Sequence, residues 1–180
     1  MKVEEVVLVD DQDRALGRME KMEAHRKGVL HRAFSAFVLN DRGELMLQQR
    51  AQEKYHSGGL WTNTCCSHPK PEEQVLVAGE RRLIEEMGFT TPLKRLFKFI
   101  YRTELDNELT EHELDHVLLG YYNEDPIVNP SEVAGFRWVG LEEVSLEMQR
   151  HPERFTEWFK ICFAPFYEHM KELSAERELD

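Results

Sequence analysis

Apolar residues fall in short β-branched or aromatic runs between polar turns, and only later in the chain do they take helical spacing. Val3–Val9 (VEEVVLV) is the first run, closed by an acidic turn over Asp10–Asp13. Gly17–Lys27 is polar and has no readable period. Arg32–Leu39 (RAFSAFVL) predicts a buried strand, and the NDRG turn at Asn40–Gly43 leads to a hairpin partner, Glu44–Arg50 (ELMLQQR). Lys54–Gly59 (KYHSGG) is a loop with glycines for unusual dihedrals, and Leu60–Ser67 is extended. A helix is predicted from about Glu73 to Met87, after the breaks at Pro69 and Pro71 and before a stop at Gly88. On it, Arg81 and Glu85, and Arg82 and Glu86, stand four apart and share a face. Leu93–Thr103 and Glu111–Tyr122 read as strands around a polar turn, and Gly135–Val139 as a shorter one. Leu141–Gln149 and Phe155–Leu173 read as helices, the second amphipathic through Trp158, Ile161, Phe163, Phe166 and Met170. The last residues, about 174–180, are expected to fray.

Hairpin signals beside helical crossovers predict an α/β domain with a mixed sheet. The length of 180 residues, with 41% hydrophobic and 32% charged, fits one domain over 1–180 with a core of its own. The net charge of −11, without a basic stripe, argues against nucleic acid as the main partner. No apolar run approaches the ~20 residues of a membrane span, and the acidic start is unlike a secretory signal. Three cysteines, two of them adjacent, do not make a disulfide framework, so a reducing cytoplasm is expected. No strong apolar seam stands out, and a monomer is expected.

Candidate chemistry gathers between Trp61 and Gly88, where thiols and an imidazole precede a helix rich in carboxylates. In an extended run Cys66 shares the parity of His68, leaving Cys65 for the core. Only a nearby cation or metal would make Cys66 reactive. In TEHELDHVLL, Glu111 and Glu113 project from one strand face, roughly 6.6 Å apart along it, and Asp115 follows on that face. Two oxygen ligands there, joined by imidazoles from elsewhere, would suit a divalent ion, and a solvated edge strand would explain them equally well. His25, His31 and His68 are the candidate imidazoles; His56, His112, His116, His151 and His169 read as surface or packing residues. Lys21, Arg50, Lys54, Arg81 and Arg82 are within reach of the same loop, where Arg50 and Lys54 are well placed to clamp phosphate oxygens.

From Ser67 to Phe89 the spacing resembles the Nudix box, read here through Ser67, Glu73, Arg81, Arg82, Leu83, Glu85, Glu86, Gly88 and Phe89. Ser67 stands where the box has its first glycine, and Arg82 replaces a glutamate that hydrolysis in that superfamily uses. The flanks HRAFSAF, the QQR ending at Arg50, WTNTCCSHP, EHE, Tyr101 in IYR and Trp158 in TEWF are similar to the type 1 isopentenyl diphosphate isomerases. The resemblance implies a Nudix-like mixed β-sheet sandwiched between helices, and interconversion of isopentenyl and dimethylallyl diphosphates by protonation and deprotonation through a tertiary carbocation. It implies a small-molecule diphosphate substrate, with Cys66, Glu113, Tyr101 and Trp158 as the catalytic groups and Lys21, Arg50, Lys54 and Arg82 on the diphosphate. It implies Mn2+, Mg2+ or Zn2+ held by His25, His31, His68, Glu111 and Glu113, and a second ion, Mg2+, meeting Glu86 and the substrate diphosphate. Trp61, Phe34 and Trp158 are expected to wall the site. The KYHSGG loop departs from the family's aromatic-Pro-Gly. A Nudix pyrophosphohydrolase, which would release phosphate or pyrophosphate, and a catalytically dead Nudix-fold sensor are the competing readings.

Overall fold

The structure, a computed structural model, describes residues 3–179. Strand β1 (Glu5–Val9) pairs antiparallel with β2 (Ala15–Glu20), and helix α1 (Lys21–Lys27) follows directly. The Glu20 carboxylate accepts hydrogen bonds from the amides of Met22 and Glu23, and Gly28 ends the helix in the left-handed region. The polar stretch without a period is thus an edge strand and a two-turn helix. β2 buries neither face, so it has no alternation to read.

The centre of the sheet is β3 (His31–Leu39). Along its whole length it pairs in parallel with β8 (Thr110–Tyr121), and β7 (Lys94–Glu104) pairs antiparallel with β8 beyond. It also meets β1 at His31, β6 (Cys65–Ser67) at Phe34–Ala36, and β4 (Glu44–Arg50) only at Leu39. The expected β3–β4 hairpin is therefore splayed, and β4 pairs instead with β9 (Val133–Gly140) and β5 (Trp61–Thr62). The wedge is the Asn63–Thr64 corner, which also breaks the expected Leu60–Ser67 strand in two. The Thr64 hydroxyl accepts from the Val38 amide at 2.9 Å and donates to the Met46 carbonyl at 2.7 Å. The Asn63 amide donates to the carbonyls of Ala36 and Cys65. Side chains thus replace the ladder bonds that the two strands would have exchanged.

Helix α2 (Val75–Met87) covers one face of the sheet, packing Ala78, Leu83 and Met87 on Phe34, Ala36, Val38 and Leu118. The other face carries α3 (Leu141–Arg150), a 3-10 turn over Pro152–Arg154, and α4 (Glu157–Leu179). There Val144, Trp158, Phe159, Phe163 and Phe166 pack on Phe37, Leu39, Val117 and Leu119. Alternate residues of β3 and β8 thus feed two cores, giving an α/β sandwich. Helix α4 runs to Leu179, past the end expected at Leu173, because Ser174–Leu179 is built largely of good helix formers. Pro165 lies within it on the exposed side, where water can take the carbonyl it leaves unpaired. None of the described helices is long and apolar enough to cross a membrane.

Phe37 is fully buried and stacks on Phe166 with ring centroids 4.0 Å apart. Phe37→Ala is expected to lower unfolding free energy by about 3–5 kcal/mol, read as a urea midpoint shift at unchanged slope. Ile127→Ala, at a residue 79% exposed, should stay within about 0.5 kcal/mol of the parent.

Candidate active site and metal centre

On the α4 side of β8 the inward row begins apolar, at Leu119 and Val117, and then becomes acidic at Asp115, Glu113 and Glu111. All three acids are buried. The register sets His31 of β3 on one side of Glu113 and Tyr101 of β7 on the other. The Tyr101 hydroxyl donates to Glu113 Oε1 at 2.6 Å and also lies against Glu111 Oε1. His68, just past β6, donates from Nε2 to Glu113 Oε2 at 2.9 Å, and His31 Nε2 is 3.4 Å from the same oxygen. His25 enters from α1, with ring centroids 5.1 Å from His31 and 5.6 Å from His68.

Two of these imidazoles are turned by the backbone. His25 Nδ1 donates to the Lys21 carbonyl at 2.7 Å and His31 Nδ1 to the Val29 carbonyl at 2.8 Å, which leaves each Nε2 bare and inward. Nε2 of His25, His31 and His56 is buried with no hydrogen-bond partner. Burial, assisted by the neighbouring His68, pulls His25 down to about 4. Burial and Arg50 pull His56 down to about 2. Both rings are therefore neutral at physiological pH, the state that binds a metal. Burial works to raise Glu113, but His68 and His31 outweigh it and hold this carboxyl well below the usual range. Burial and the adjacent Glu113 push Glu111 up.

His25, His31 and His68 offer ligand atoms within 4.8 Å of one another, and so do His25, His56 and Glu111. The Nε2 atoms of His25, His31 and His56, which have no hydrogen-bond partner among the described residues, converge with His68 on buried carboxylates, and a divalent ion suits this set of donors. The ligand set expected from the resemblance, His25, His31, His68, Glu111 and Glu113, is thus brought together. Glu86 is not part of it. Its oxygens accept from Gln48, Cys65 and Arg82, and it faces a neighbouring cavity.

Cys66 lies across from the acids on β6, beside Ser35. Its thiol donates to Asn63 Oδ1 at 2.9 Å, and the Trp158 indole N–H points to the sulfur at 3.2 Å. The Ser35 hydroxyl is tied at 2.7 Å to Asp115. Burial, and then Asp115, raise the Cys66 pKa, so the thiol is protonated at rest. The positive charge needed to lower it is absent from its hydrogen-bond partners. Cys65 is fully buried, as its parity requires.

Two adjoining cavities result. A small one of about 30 Å³ is lined by Cys66, Glu111, Glu113, Tyr101, Trp158 and Phe34, among others. The larger, about 410 Å³, holds Lys21, Arg50, Lys54, Arg82 and Glu86, and it shares Arg50, Tyr55, Cys66, Ser67 and His68 with the first. Three of its cations are held by carboxylates: Lys21 by Glu4 at 2.5 Å, Lys54 by Glu132 at 2.6 Å, and Arg82 by Glu86 at 2.9 Å. Arg50 donates to the His56 carbonyl and lies 5.1 Å from the Trp158 ring. Trp61 departs from expectation. It is no wall of the site, because it packs under Arg137 at 4.6 Å and on the α4 core. His56 is the site residue that sequence reasoning placed elsewhere. Its only signal was an imidazole beside the glycines of a loop leading into WTN, and a loop has no period to show where a side chain points.

The fold and this site define a Nudix domain, and the NUDIX domain family matches residues 29–159. A MutT protein from Methanosarcina mazei Go1 superposes with a TM-score of 0.65 at 23% identity over 79% of this chain and 96% of that one. A protein from Deinococcus radiodurans gives 0.69 at 20% identity over 82% and 90%. An isopentenyl-diphosphate Delta-isomerase of Pectobacterium atrosepticum is 49% identical over 98% of this chain and 99% of its own length. One of Photobacterium profundum is 52% identical over 87% and 90%. The chain belongs to the isopentenyl-diphosphate Delta-isomerase family of Nudix proteins.

A histidine depressed by folding takes up its proton more readily once unfolded, so its stabilisation is full above the ordinary 6.5 and is lost as pH falls toward the folded value. For His25 the window runs from 6.5 to about 4, and for His56 from 6.5 to about 2. His31, which is raised in the fold, works in the opposite sense. Chelator-treated protein should lose about 2 kcal/mol per depressed histidine between about pH 7.5 and about pH 5. Urea midpoints measure this, and His56→Gln should show a shallower slope.

Proposed function

We propose that the chain interconverts isopentenyl and dimethylallyl diphosphates, with Cys66 and Glu113 as the acid–base pair on either side of the five-carbon chain. The observation that supports this most is one cavity shared by Cys66, Glu113 and Tyr101, opening beside a second that gathers the cations. The relatives' name supplies the reaction, and the two cavities divide its tasks.

Moving the double bond adds a proton at one carbon and removes one from another. One group must therefore start protonated and the other ionised, and the site holds one of each: a thiol at Cys66 and a carboxylate at Glu113. Because isomerisation is reversible, each serves as acid in one direction and base in the other. Tyr101 bonds to Glu113 and Glu111 and fixes which carboxylate oxygen faces the substrate. Asn63 and Trp158 orient the sulfur. The indole of Trp158 also lines the cavity where a tertiary carbocation would form, and a dry cation over an indole gains about 2 kcal/mol. Excluding water protects that cation from capture as an alcohol, which the closed aromatic walls favour.

His25, His31, His68, Glu111 and Glu113 would hold the divalent ion, Mn2+, Mg2+ or Zn2+. When bound, it would stabilise the ionised Glu113 and make its conjugate acid a stronger donor to an alkene. Lys21, Lys54 and Arg82 would exchange their carboxylate partners for diphosphate oxygens, and Mg2+ arriving with the diphosphate would meet Glu86. Arg82, in the place of a hydrolase glutamate, serves binding in this reading, which disfavours pyrophosphate hydrolysis.

Incubation with isopentenyl diphosphate and Mg2+ in heavy water should give deuterated dimethylallyl product and release no phosphate. Free phosphate or pyrophosphate would instead identify a hydrolase. Cys66→Ala and Glu113→Gln should each lower kcat by about 10²–10⁴-fold. Near-parental turnover in either variant would remove that residue from the pair. Lys54→Met should raise KM about tenfold with a smaller effect on kcat, as loss of one charge-assisted hydrogen bond implies.

A further inference from the structure

His56 has no part in the acid–base pair and none in the ligand set implied by resemblance, yet it is built like a ligand. Its side chain is 3% exposed, and its Nε2 is buried with no hydrogen-bond partner. Its Nδ1 lies 3.2 Å from the Ser57 hydroxyl, leaving Nε2 as the inward atom. A ligand nitrogen of His56 lies within 4.8 Å of one from His25 and of a Glu111 oxygen. Nε2 is 3.9 Å from Glu111 Oε2, beyond hydrogen-bond reach. His25 belongs equally to the trio with His31 and His68, so the two groups share a corner.

The backbone around His56 is unusual in the same direction. Ser57 is left-handed at φ 55°, and a Cβ on Gly58 would come within 2.4 Å of the Gln52 carbonyl oxygen. Packing alone does not account for the residue. Its ring meets Tyr55 at 4.2 Å and Trp158 edge-on at 5.5 Å, contacts that a phenyl ring would make with no nitrogen left unpaired.

We infer that His56 is a further protein ligand of the divalent ion at this centre, acting through Nε2 beside His25 and Glu111, and that it biases the site toward transition ions over magnesium. The inference rests on the reading of the histidine–glutamate cluster as a metal centre. An added imidazole favours Zn2+ or Co2+, which accept nitrogen donors readily, over Mg2+, which prefers oxygen and keeps its waters. It also ties the Lys54–Gly59 loop to β8 and α1 through the ion.

The test reads the metal rather than turnover. The full chain, stripped with chelator and labelled with nitrogen-15 histidine, is loaded with cadmium. A one-bond metal–nitrogen coupling is expected at His56 Nε2 as well as at His25, and its absence at His56 with coupling at His25 overturns the inference alone. No coupling at any histidine overturns the metal-centre reading as well. In chelator competition, His56→Gln and His56→Phe should bind Co2+ at least about 100-fold more weakly than the parent, with a smaller change for Mg2+. Equal Co2+ affinity in parent and variants would also overturn the inference.

Discussion

The parallel pairing of β3 with β8 is the constraint on which the site depends. It places His31 beside Glu113 and Phe37 beside Leu119, so one strand pair carries both the acidic centre and the core that anchors it. A slip by one residue would turn Leu114 toward the histidines and Glu113 into the small apolar cluster that Leu114 forms with Val7 and Val9 of β1. An unpaired carboxylate in that cluster would cost several kcal/mol. The apolar half of the strands, Phe37, Val117 and Leu119 under α4, therefore fixes where the acids go. The Glu113 carboxylate is in turn met at Oε2 by the imidazoles of His31 on β3 and of His68 after β6.

Charge is divided between the two cavities in a way the total does not reveal. A chain of net charge −11 would repel a diphosphate, but the larger cavity gathers Lys21, Arg50, Lys54 and Arg82 in one place. Three of these are already paired with carboxylates, Lys21 with Glu4, Lys54 with Glu132 and Arg82 with Glu86, so these cations are pre-positioned. An anion that displaces those carboxylates exchanges one ion pair for another. Such an exchange depends on geometry more than on bulk field, and a bidentate phosphate group fits Arg82 better than two separate glutamates do.

Much of this was legible in the sequence where a side chain's direction follows from a period. Cys66 with His68, and Glu111 with Glu113 and Asp115, are strand parities, and the structure keeps both sets together. The helix bearing Arg81, Arg82, Glu85 and Glu86 pairs them at the expected spacing. What the pattern could not show was the meeting of distant elements without periods. β2 is exposed on both faces, and the wedge at Asn63–Thr64 looks like any extended run until its side chains are seen bonding to β3 and β4. His56, on a loop without a period, reads as a surface or packing residue for the same reason. Trp61 was read as a wall because it is large and adjacent, yet its ring turns to Arg137. The protein surroundings of Cys66 favour the thiol, since the sulfur is buried next to Asp115 and Trp158 and neither carries positive charge.

The Lys54–Gly59 loop connects these features. Tyr55 lines both cavities, Lys54 lines the larger and His56 the smaller. Two glycines and a left-handed Ser57 fold it tightly against Gln52, a shape that few other residues would permit. The small cavity, at about 30 Å³, has room for a water or two but not for five carbons. Occupation of the site by an isopentenyl group therefore requires its walls to part. The β3, β8 and α4 walls are fixed by the core, whereas the loop is held by polar ties: Lys54 to Glu132, the His56 carbonyl to Arg50, the Tyr55 carbonyl to Asn107 and the Ser57 amide to Asp106. In the proposed reading, diphosphate oxygens that took Lys54 from Glu132 would remove one tie of the loop whose Tyr55 and His56 line the small cavity. Binding at the charged end and access at the reactive end would then be joined through the six residues of this loop.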